Sequence, residues 1–478
     1  MTPKQITRVN IALAAVSGLA LRLYLVLKFP VTDTGDGPFY IELAWNWLKN
    51  GVYGFPVYGQ LTAVDMRVPG YPAFLASVFA FAGQSTKAAM VAQIFVDLAT
   101  CFIIALIAAR IAPEASRRRV ALGGLWLAAL CPFTANYTAV ILTETLVIFF
   151  MALAILILLQ TDLGTTALNA SATVARRGAF LSNPWFLGGL VVGFGTLVRP
   201  ETPLLLMAAG LILLAKWWRP VDWRKLVRAG LLMAVGLILP LIPWAARNWR
   251  TLHDVQFLAP RYSELPGEYT PLGFTAWTNT WMWRFRDVYL SQWKVNDEEI
   301  VVSQLPPYAF DSNDERERVS DLIDEYNEAL TIDPNLDQGF REIARQRTER
   351  HPLRTYLKIP ALRMLTLWFT PRVELLPSSG HLWPVREEWQ DDRRDFLVTL
   401  GLTAVNAFYL LLELAGAWIA RRRPGVALLI VFCIVRTLFF ARFVETPEPR
   451  YVLECFPAVI ALAAQVFTRR VLASSAAK

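Results

Sequence analysis

Apolar runs of roughly 16–24 residues, the length that crosses the hydrocarbon of a bilayer, recur along most of this chain. The pattern predicts ten membrane-spanning helices, near residues 9–30, 88–109, 120–136, 143–160, 185–198, 202–217, 229–246, 396–420, 425–441 and 451–468. The first run, Ile11 to Phe29, has no small-residue cleavage motif after it and reads as a span, not as a signal peptide. Two segments between the first two spans behave differently. Residues 38–50 form an amphipathic aromatic helix, with Phe39, Tyr40, Trp45 and Trp47 close together. Gly70 to Gly83, "GYPAFLASVFAFAG", is apolar but too short to span. Both are expected to lie flat in the outer membrane interface.

Basic residues set the orientation. Clusters occur at Lys4/Arg8, Arg110 with Arg117 to Arg119, Arg176/Arg177, Lys216 to Arg228, Arg421 to Arg423 and Arg469/Arg470. With both termini cytoplasmic, every cluster falls on the inner side, as the positive-inside rule requires. The expected organisation is an N-terminal transmembrane module over 1–250 containing the first outer loop 31–87, an outer subdomain over 251–394, and C-terminal transmembrane helices over 395–478. Residues 291–350 carry about twice as many acidic as basic side chains, and "DLIDEYNEALTIDPNLDQGFREIARQRTER" has amphipathic helical periodicity. Segments 353–369 and 381–384 are apolar and basic and are expected to return to the membrane surface. The fold class is thus an all-α polytopic membrane protein of about ten spans, with two outer juxtamembrane helices and a mostly helical outer subdomain.

Composition agrees. The chain is 55% hydrophobic and 18% charged, against about 25% charged in soluble proteins, and its mean hydropathy is +0.38. Its 17 Trp and 14 Tyr suit many interfacial positions. The net charge of +8 resides in the inner loops, so it does not point to nucleic acid. The four cysteines form no CxxC pair, which speaks against a zinc site or a disulfide framework.

The informative residues are charges at the ends of spans: Asp33, Asp36, Arg67, Glu144, Arg199, Glu201, Arg247 and Arg450. In this topology all lie at the outer surface, although the topology was set by other residues. Ionisable groups at membrane depth are costly and mark function. Arginine binds phosphate through paired, charge-assisted hydrogen bonds, and a carboxylate can take a proton from a hydroxyl. Together they suit displacement of a phosphate leaving group by a hydroxyl at the outer face. His253, His351 and His381 are the only histidines, and no GxxxxGK[ST] phosphate loop exists. A donor available outside is then lipid-linked rather than a nucleotide. Each residue also has a plain structural reading. Asp36 can cap the following helix, Arg67 can snorkel, Glu144 can favour a helix N-terminus, and Arg199 with Glu201 can be an internal ion pair. Trp45, Trp244 and Trp249 read as interfacial anchors.

The motifs "DGPFY" (Asp36 to Tyr40), "RVPGYP" (Arg67 to Pro72), "LTE" (Leu142 to Glu144), "LVRPE" (Leu197 to Glu201), "PWAARN" (Pro243 to Asn248) and "EPRY" (Glu448 to Tyr451) occur in this order. In order and topology the set resembles the C-type (GT-C) integral membrane glycosyltransferases of the protein O-mannosyltransferase and aminoarabinose lipid A transferase group. The resemblance covers roughly 1–250 and 395–470; the acidic segment, about 255–350, falls outside it. It implies transfer of a sugar from a polyprenyl-phosphate-linked donor to an acceptor hydroxyl of a glycan, lipid or protein. The enzyme would sit in a bacterial inner membrane with its site on the periplasmic side. Asp36, followed four residues later by Tyr40, fits the catalytic carboxylate of that family. Arg67, Tyr40, Glu144, Arg199, Glu201, Arg247, Asn248, Arg450 and Tyr451 are the candidates for binding donor phosphate and sugar. The family often has a second acid directly after the Asp; here Gly37 stands there and the other acid, Asp33, comes earlier. Asp33 either orients the acceptor or shares a divalent cation with Asp36. No cofactor is otherwise implied. Two rivals use similar residues: a transporter or flippase of a lipid-linked anion, and a lipid-linked polymer ligase or polymerase.

Overall fold

The computed structural model describes residues 3–32, 35–57, 59–161, 163–164, 180–216, 222–262 and 269–468. Asp33, Arg176/Arg177, Arg469/Arg470, part of the Lys216 to Arg228 cluster and the side chain of Lys4 lie outside the described residues. The chain divides into two compact units. One comprises residues 1–260, 371–435 and 453–478; the other comprises 261–370 and 436–452.

The first unit is built on apolar helices. In order these are α1 (Pro3–Lys28), α2 (Gly37–Asn50), α3 (Gly70–Ala82), α4 (Thr86–Arg110), α5 (Arg117–Ala129), α6 (Pro132–Asn136), α7 (Glu144–Leu158), α8 (Pro184–Thr196), α9 (Leu204–Lys216), α10 (Trp223–Ile238) and α11 (Ile242–Leu252). Among the described residues helix lies at each of the ten expected positions, the last three as Arg393–Ala420, Val426–Phe443 and Phe456–Ala463. By length and composition, six helices of the described chain can cross a membrane, or seven with the bent pair of α5 and the 132–139 segment. That pair bends by 44°, where Pro132 lacks an N–H for a continuing helix. α7, α8 and α9 have 15, 13 and 13 residues, shorter than the ~20 a perpendicular crossing needs. The two segments expected to lie in the interface are helical, as α2 and α3. Between them lies a feature absent from the all-α expectation: strand β1 (Gly54–Val57) pairs antiparallel with β2 (Gln60–Ala63).

One ion pair inside this unit sits within the expected spans. Arg22 of α1 and Asp97 of α4 are both buried, and Arg22 Nε donates to Asp97 Oδ2 at 2.6 Å. Arg22 Nη1 also donates to the Gly18 and Ala129 carbonyls at 2.9 and 2.8 Å. A charge removed from water is tolerated when it is paired and its remaining donors are used, and α1, α4 and α5 supply those partners.

The second unit has its own core of Phe274, Trp277, Trp281, Val319, Ile323, Tyr326 and Phe340. The amphipathic stretch folds as two helices rather than one, α12 (Asn313–Ala329) and α13 (Pro334–Arg350). Leu330 ends the first in the left-handed region, and Asp333 caps the second ahead of Pro334. Leu336, Phe340, Ile343, Ala344 and Arg347 share the buried face of α13. Buried Arg347 pairs with Glu315 and donates to Thr280 Oγ1 and to the Ala309 carbonyl.

Candidate active site

The loop between α1 and α2 is fastened by backbone. Val31 N–H donates to the Ala139 carbonyl at 2.8 Å, and Val31 bridges Val140. This brings the "DGPFY" motif beside the segment that leads to Glu144. Gly37 packs against the Thr32 and Ile141 carbonyls, which a Cβ there would meet at 3.2 and 3.3 Å. A second acid at this position would grow toward carbonyl oxygens, which accounts for the glycine.

Asp36 precedes α2 but makes no side-chain cap bond to it. Its Oδ1 instead accepts from Arg67 Nη2 at 2.7 Å, with about a third of the side chain exposed. Burial works most strongly against the Arg67 cation, but Asp36, by charge and hydrogen bond, together with Tyr40 and Tyr53 holds the guanidinium pKa above its usual value. Arg67 Nη1 donates to the Met66 carbonyl, and Tyr53 Oη donates to the Arg67 carbonyl at 2.8 Å. Just after, Gly70 N–H donates to the Leu197 carbonyl at 2.6 Å; a Cβ on Gly70 would sit 2.5 Å from that oxygen. Only glycine allows this approach, and it joins the "RVPGYP" and "LVRPE" motifs.

A second charged group surrounds Arg199. Glu144 Oε1 accepts from Arg199 Nη1 at 3.0 Å, and the Arg199 Nε lies 3.7 Å from Glu201 and 3.6 Å from Glu454. Glu144 and Glu454 are almost fully buried. Tyr40 is buried against Tyr71, ring centroids 5.1 Å apart. Burial, then Asp36, push its phenol well above the usual range; Arg67, Arg199 and Glu144 also act on it. One phenol thus stands within reach of both charged groups. Tyr71 Oη donates to Gln93 Oε1, and the Gln93 amide donates to the Thr138 and Val140 carbonyls, which ties α3 and α4 to the 138–140 segment.

Arg247 of α11 is held differently from the other arginines. Its Nη1 donates to the Val64 carbonyl at 2.8 Å and to Asn248 Oδ1 at 2.9 Å, and its Nη2 to the Tyr53 carbonyl at 2.7 Å. The guanidinium lies over the Tyr53 and Trp244 rings, 5.4 and 5.1 Å from their centroids. Among the described residues it makes no ion pair with a carboxylate. It lines a cavity of about 290 Å³ together with Trp47, Tyr53 and Trp244. Asn248 is buried, and its amide donates to the Gln256 carbonyl. Trp244 is 5% exposed: it is part of this wall and not a surface anchor, unlike Trp249.

Arg450 and Tyr451 belong to the second unit. There Arg450 pairs with Glu448 at 2.5 Å, and Tyr451 Oη donates to Glu448 Oε1 at 2.7 Å. Among the described residues, no group of three or more His, Cys, Asp or Glu side chains is placed to hold a metal ion.

No protein-family model and no curated protein matches the chain. Solved structures do. The archaeal oligosaccharyltransferase AglB from Archaeoglobus fulgidus, in complex with an inhibitory peptide and a dolichol-phosphate, is similar over 97% of this chain and 50% of its own, with TM-score 0.52 and 13% identity. The same organism's oligosaccharyltransferase tethered to an acceptor peptide containing the NVT sequon matches over 97% and 49%, with TM-score 0.50 and 14% identity. The fold resembles that of these oligosaccharyltransferase structures. ArnT from Cupriavidus metallidurans in the apo state aligns over 96% of this chain and 77% of its own, with TM-score 0.40 and 12% identity. The chain spans about half the length of the oligosaccharyltransferase structures.

The structure adds residues that carry no motif in the sequence. Glu454 lies inside an apolar run, as do Arg22 and Asp97, and an acid or base in such a run is itself a signal. Tyr53, which connects Arg67 to Arg247, had no comparable mark.

Proposed function

We propose that this protein is a membrane glycosyltransferase that moves a sugar from a polyprenyl-phosphate-linked donor to an acceptor hydroxyl at the outer membrane face. The observation that supports this most is one arrangement. A partly exposed carboxylate, Asp36, is held by Arg67, and Tyr53 links that pair to Arg247, an arginine with no carboxylate partner among the described residues. Asp36 takes the proton of the acceptor hydroxyl. The hydroxyl oxygen bonds to the anomeric carbon as the bond from that carbon to the phosphate oxygen breaks. The phosphate leaves with the electron pair, and its charge is met by Arg247 and by the fork of Arg67. Arg199 is surrounded by Glu144, Glu201 and Glu454, so it serves to shape the region and not to neutralise the donor. Asp33 orients the acceptor or shares a divalent cation with Asp36.

Phosphate recognition is tested by Arg67→Lys and Arg247→Lys. Lysine keeps the charge and loses the planar fork, so each variant is expected to raise the donor KM about tenfold, roughly 1.4 kcal/mol. Unchanged KM in both would remove the arginines from donor binding.

Orientation is part of the reading: both termini inside, the 251–394 segment outside, in a bacterial inner membrane. A membrane-impermeant thiol reagent added outside should label Asn313→Cys and leave Arg118→Cys unlabelled. The reverse pattern contradicts the proposed sidedness.

A further inference from the structure

We infer that the second unit rests on a phospholipid leaflet through residues 353–369 and holds anionic headgroups in the pocket at the start of that segment. The inference rests on the reading of Val426–Phe443 as a membrane span and is independent of the transfer reaction. It gives the expected return of this segment to the membrane a face, a depth and a lipid chemistry.

Three observations lead there. The first is an inverted face. Leu353, Leu357, Ala361, Leu365 and Phe369 recur every fourth residue, so they form one ridge along the Ile359–Phe369 helix and the helical turn before it. All are exposed, whereas the buried side carries Ile359, Arg363, Thr366 and Leu367. A helix in water does the reverse. The ridge runs about 24 Å at ~1.5 Å per residue, and a contiguous exposed apolar patch marks a membrane or protein contact. The second is depth. Residues 436–443 of the Val426–Phe443 span belong to this unit. Trp368 Nε1 donates to Thr437 Oγ1 at 3.0 Å, and Thr437 lies six residues, about 9 Å, inside the Phe443 end of the span. Toward the other end of the segment, the Arg442 guanidinium lies 5.4 Å from the Tyr356 ring centroid. The Phe369 end is therefore level with the interior of the span and the Tyr356 end with its mouth. Lipid, and not a water-borne protein, surrounds a span at that depth. The third is charge, which follows the same gradient. Arg363 is the only charged residue from 359 to 369. It is buried, and it donates to the Met282 and Val444 carbonyls and to Asn279 Oδ1. Arg350, His351, Arg354 and Lys358 stand at the shallow end, where they line an open pocket of about 520 Å³ with Leu353. Asp311 and Glu315 are shared by Arg347, Arg350 and Arg354. Lys358 makes no ion pair among the described residues, so positive charge is in excess at the pocket. A phosphate headgroup answers that excess while Leu353 and Leu357 meet its acyl chains.

The full chain, whose four native cysteines are buried, is labelled with bimane at Leu357→Cys, at Leu365→Cys or, as the reference in water, at Glu325→Cys on the exposed side of α12. It is reconstituted in nanodiscs of phosphatidylcholine with a minor share of phosphatidylglycerol. Quenching is read with aqueous acrylamide and with lipids of either headgroup that carry an acyl-chain nitroxide. Acrylamide is expected to quench both ridge positions about fivefold less than Glu325→Cys, because an interfacial face is shielded from water. Nitroxide lipid should quench the ridge positions alone. At Leu357→Cys, nitroxide phosphatidylglycerol should act at about fivefold lower mole fraction than nitroxide phosphatidylcholine, the effect of one cation at the surface. Lys358→Glu should remove that preference and leave Leu365→Cys shielded, which also shows that the variant is folded. Acrylamide access at the ridge equal to that at Glu325→Cys overturns the membrane seat. Shielding from acrylamide without quenching by nitroxide lipid overturns it too, and assigns the face to a second copy or another protein. Equal quenching by the two headgroups, or a preference that survives Lys358→Glu, overturns the anionic pocket while the seat stands. Sugar transfer enters none of these measurements, so their failure and that of the proposed reaction are distinguishable.

Discussion

Asp36→Asn is expected to lower sugar transfer by ~10²–10⁴-fold, the usual contribution of a positioned general base, while leaving the fold and donor binding intact. That loss is roughly 3–5 kcal/mol of barrier at about 1.4 kcal/mol per tenfold. A purely structural role predicts far less. Asp36 makes no side-chain cap bond to α2, so the substitution removes no cap. The carboxylate is about a third exposed where it meets Arg67, and ion pairs with that access to water contribute ~0–1 kcal/mol. Asparagine keeps an oxygen that can accept from Arg67, so the loop retains its shape. The check is kcat for donor cleavage, alongside donor Kd and thermal unfolding of both proteins. Activity within a few-fold of wild type would move the search for the base to Glu144, the other acid at this end of the fold.

The largest stability loss is expected inside the spans. Arg22→Met leaves Asp97 buried without its cation, and breaking a buried pair by removing one partner costs about 3–5 kcal/mol. Arg22 Nη1 also joins α1 to the Ala129 carbonyl at the end of α5, so the loss should appear as early separation of the N-terminal helices on heating. Arg22→Met combined with Asp97→Leu should recover most of it, because an apolar pair of similar volume needs no compensation. Thermal unfolding in detergent micelles reads both. A single variant as stable as wild type would mean that Asp97 finds another partner or a proton at no cost.

What the sequence revealed follows from where its signals come from. Long helices announce themselves by length and periodicity, and α2 and α3 were legible as helices because one is amphipathic and the other is a short apolar run. The β1–β2 hairpin was not, since four-residue strands with Pro56 in one of them carry little pattern. The site was legible as a set of types and not as a set of pairs. Asp36, Arg67, Glu144 and Arg199 were singled out one by one, yet nothing in the chain says that Arg67 meets Asp36 or that Arg199 meets three carboxylates. Those pairings depend on long-range contacts such as Gly70 on Leu197. Arg450 and Tyr451 share the look of the other motif residues, but the structure pairs them with Glu448 in the second unit. Trp244 was read as an anchor because most membrane tryptophans are; its burial beside Arg247 is a tertiary fact.

The central claim is that a carbon–oxygen bond between sugar and lipid phosphate is broken, with Asp36 supplying the base. The most direct test reconstitutes wild type and Asp36→Asn in liposomes with a polyprenyl-phosphoryl sugar labelled in the sugar, and follows free polyprenyl phosphate together with the side of the bilayer that holds intact donor. Wild type should release polyprenyl phosphate and move the label to acceptor, while Asp36→Asn binds donor and releases almost none. Intact donor crossing the bilayer without release, or equal release by the two proteins, would contradict the account.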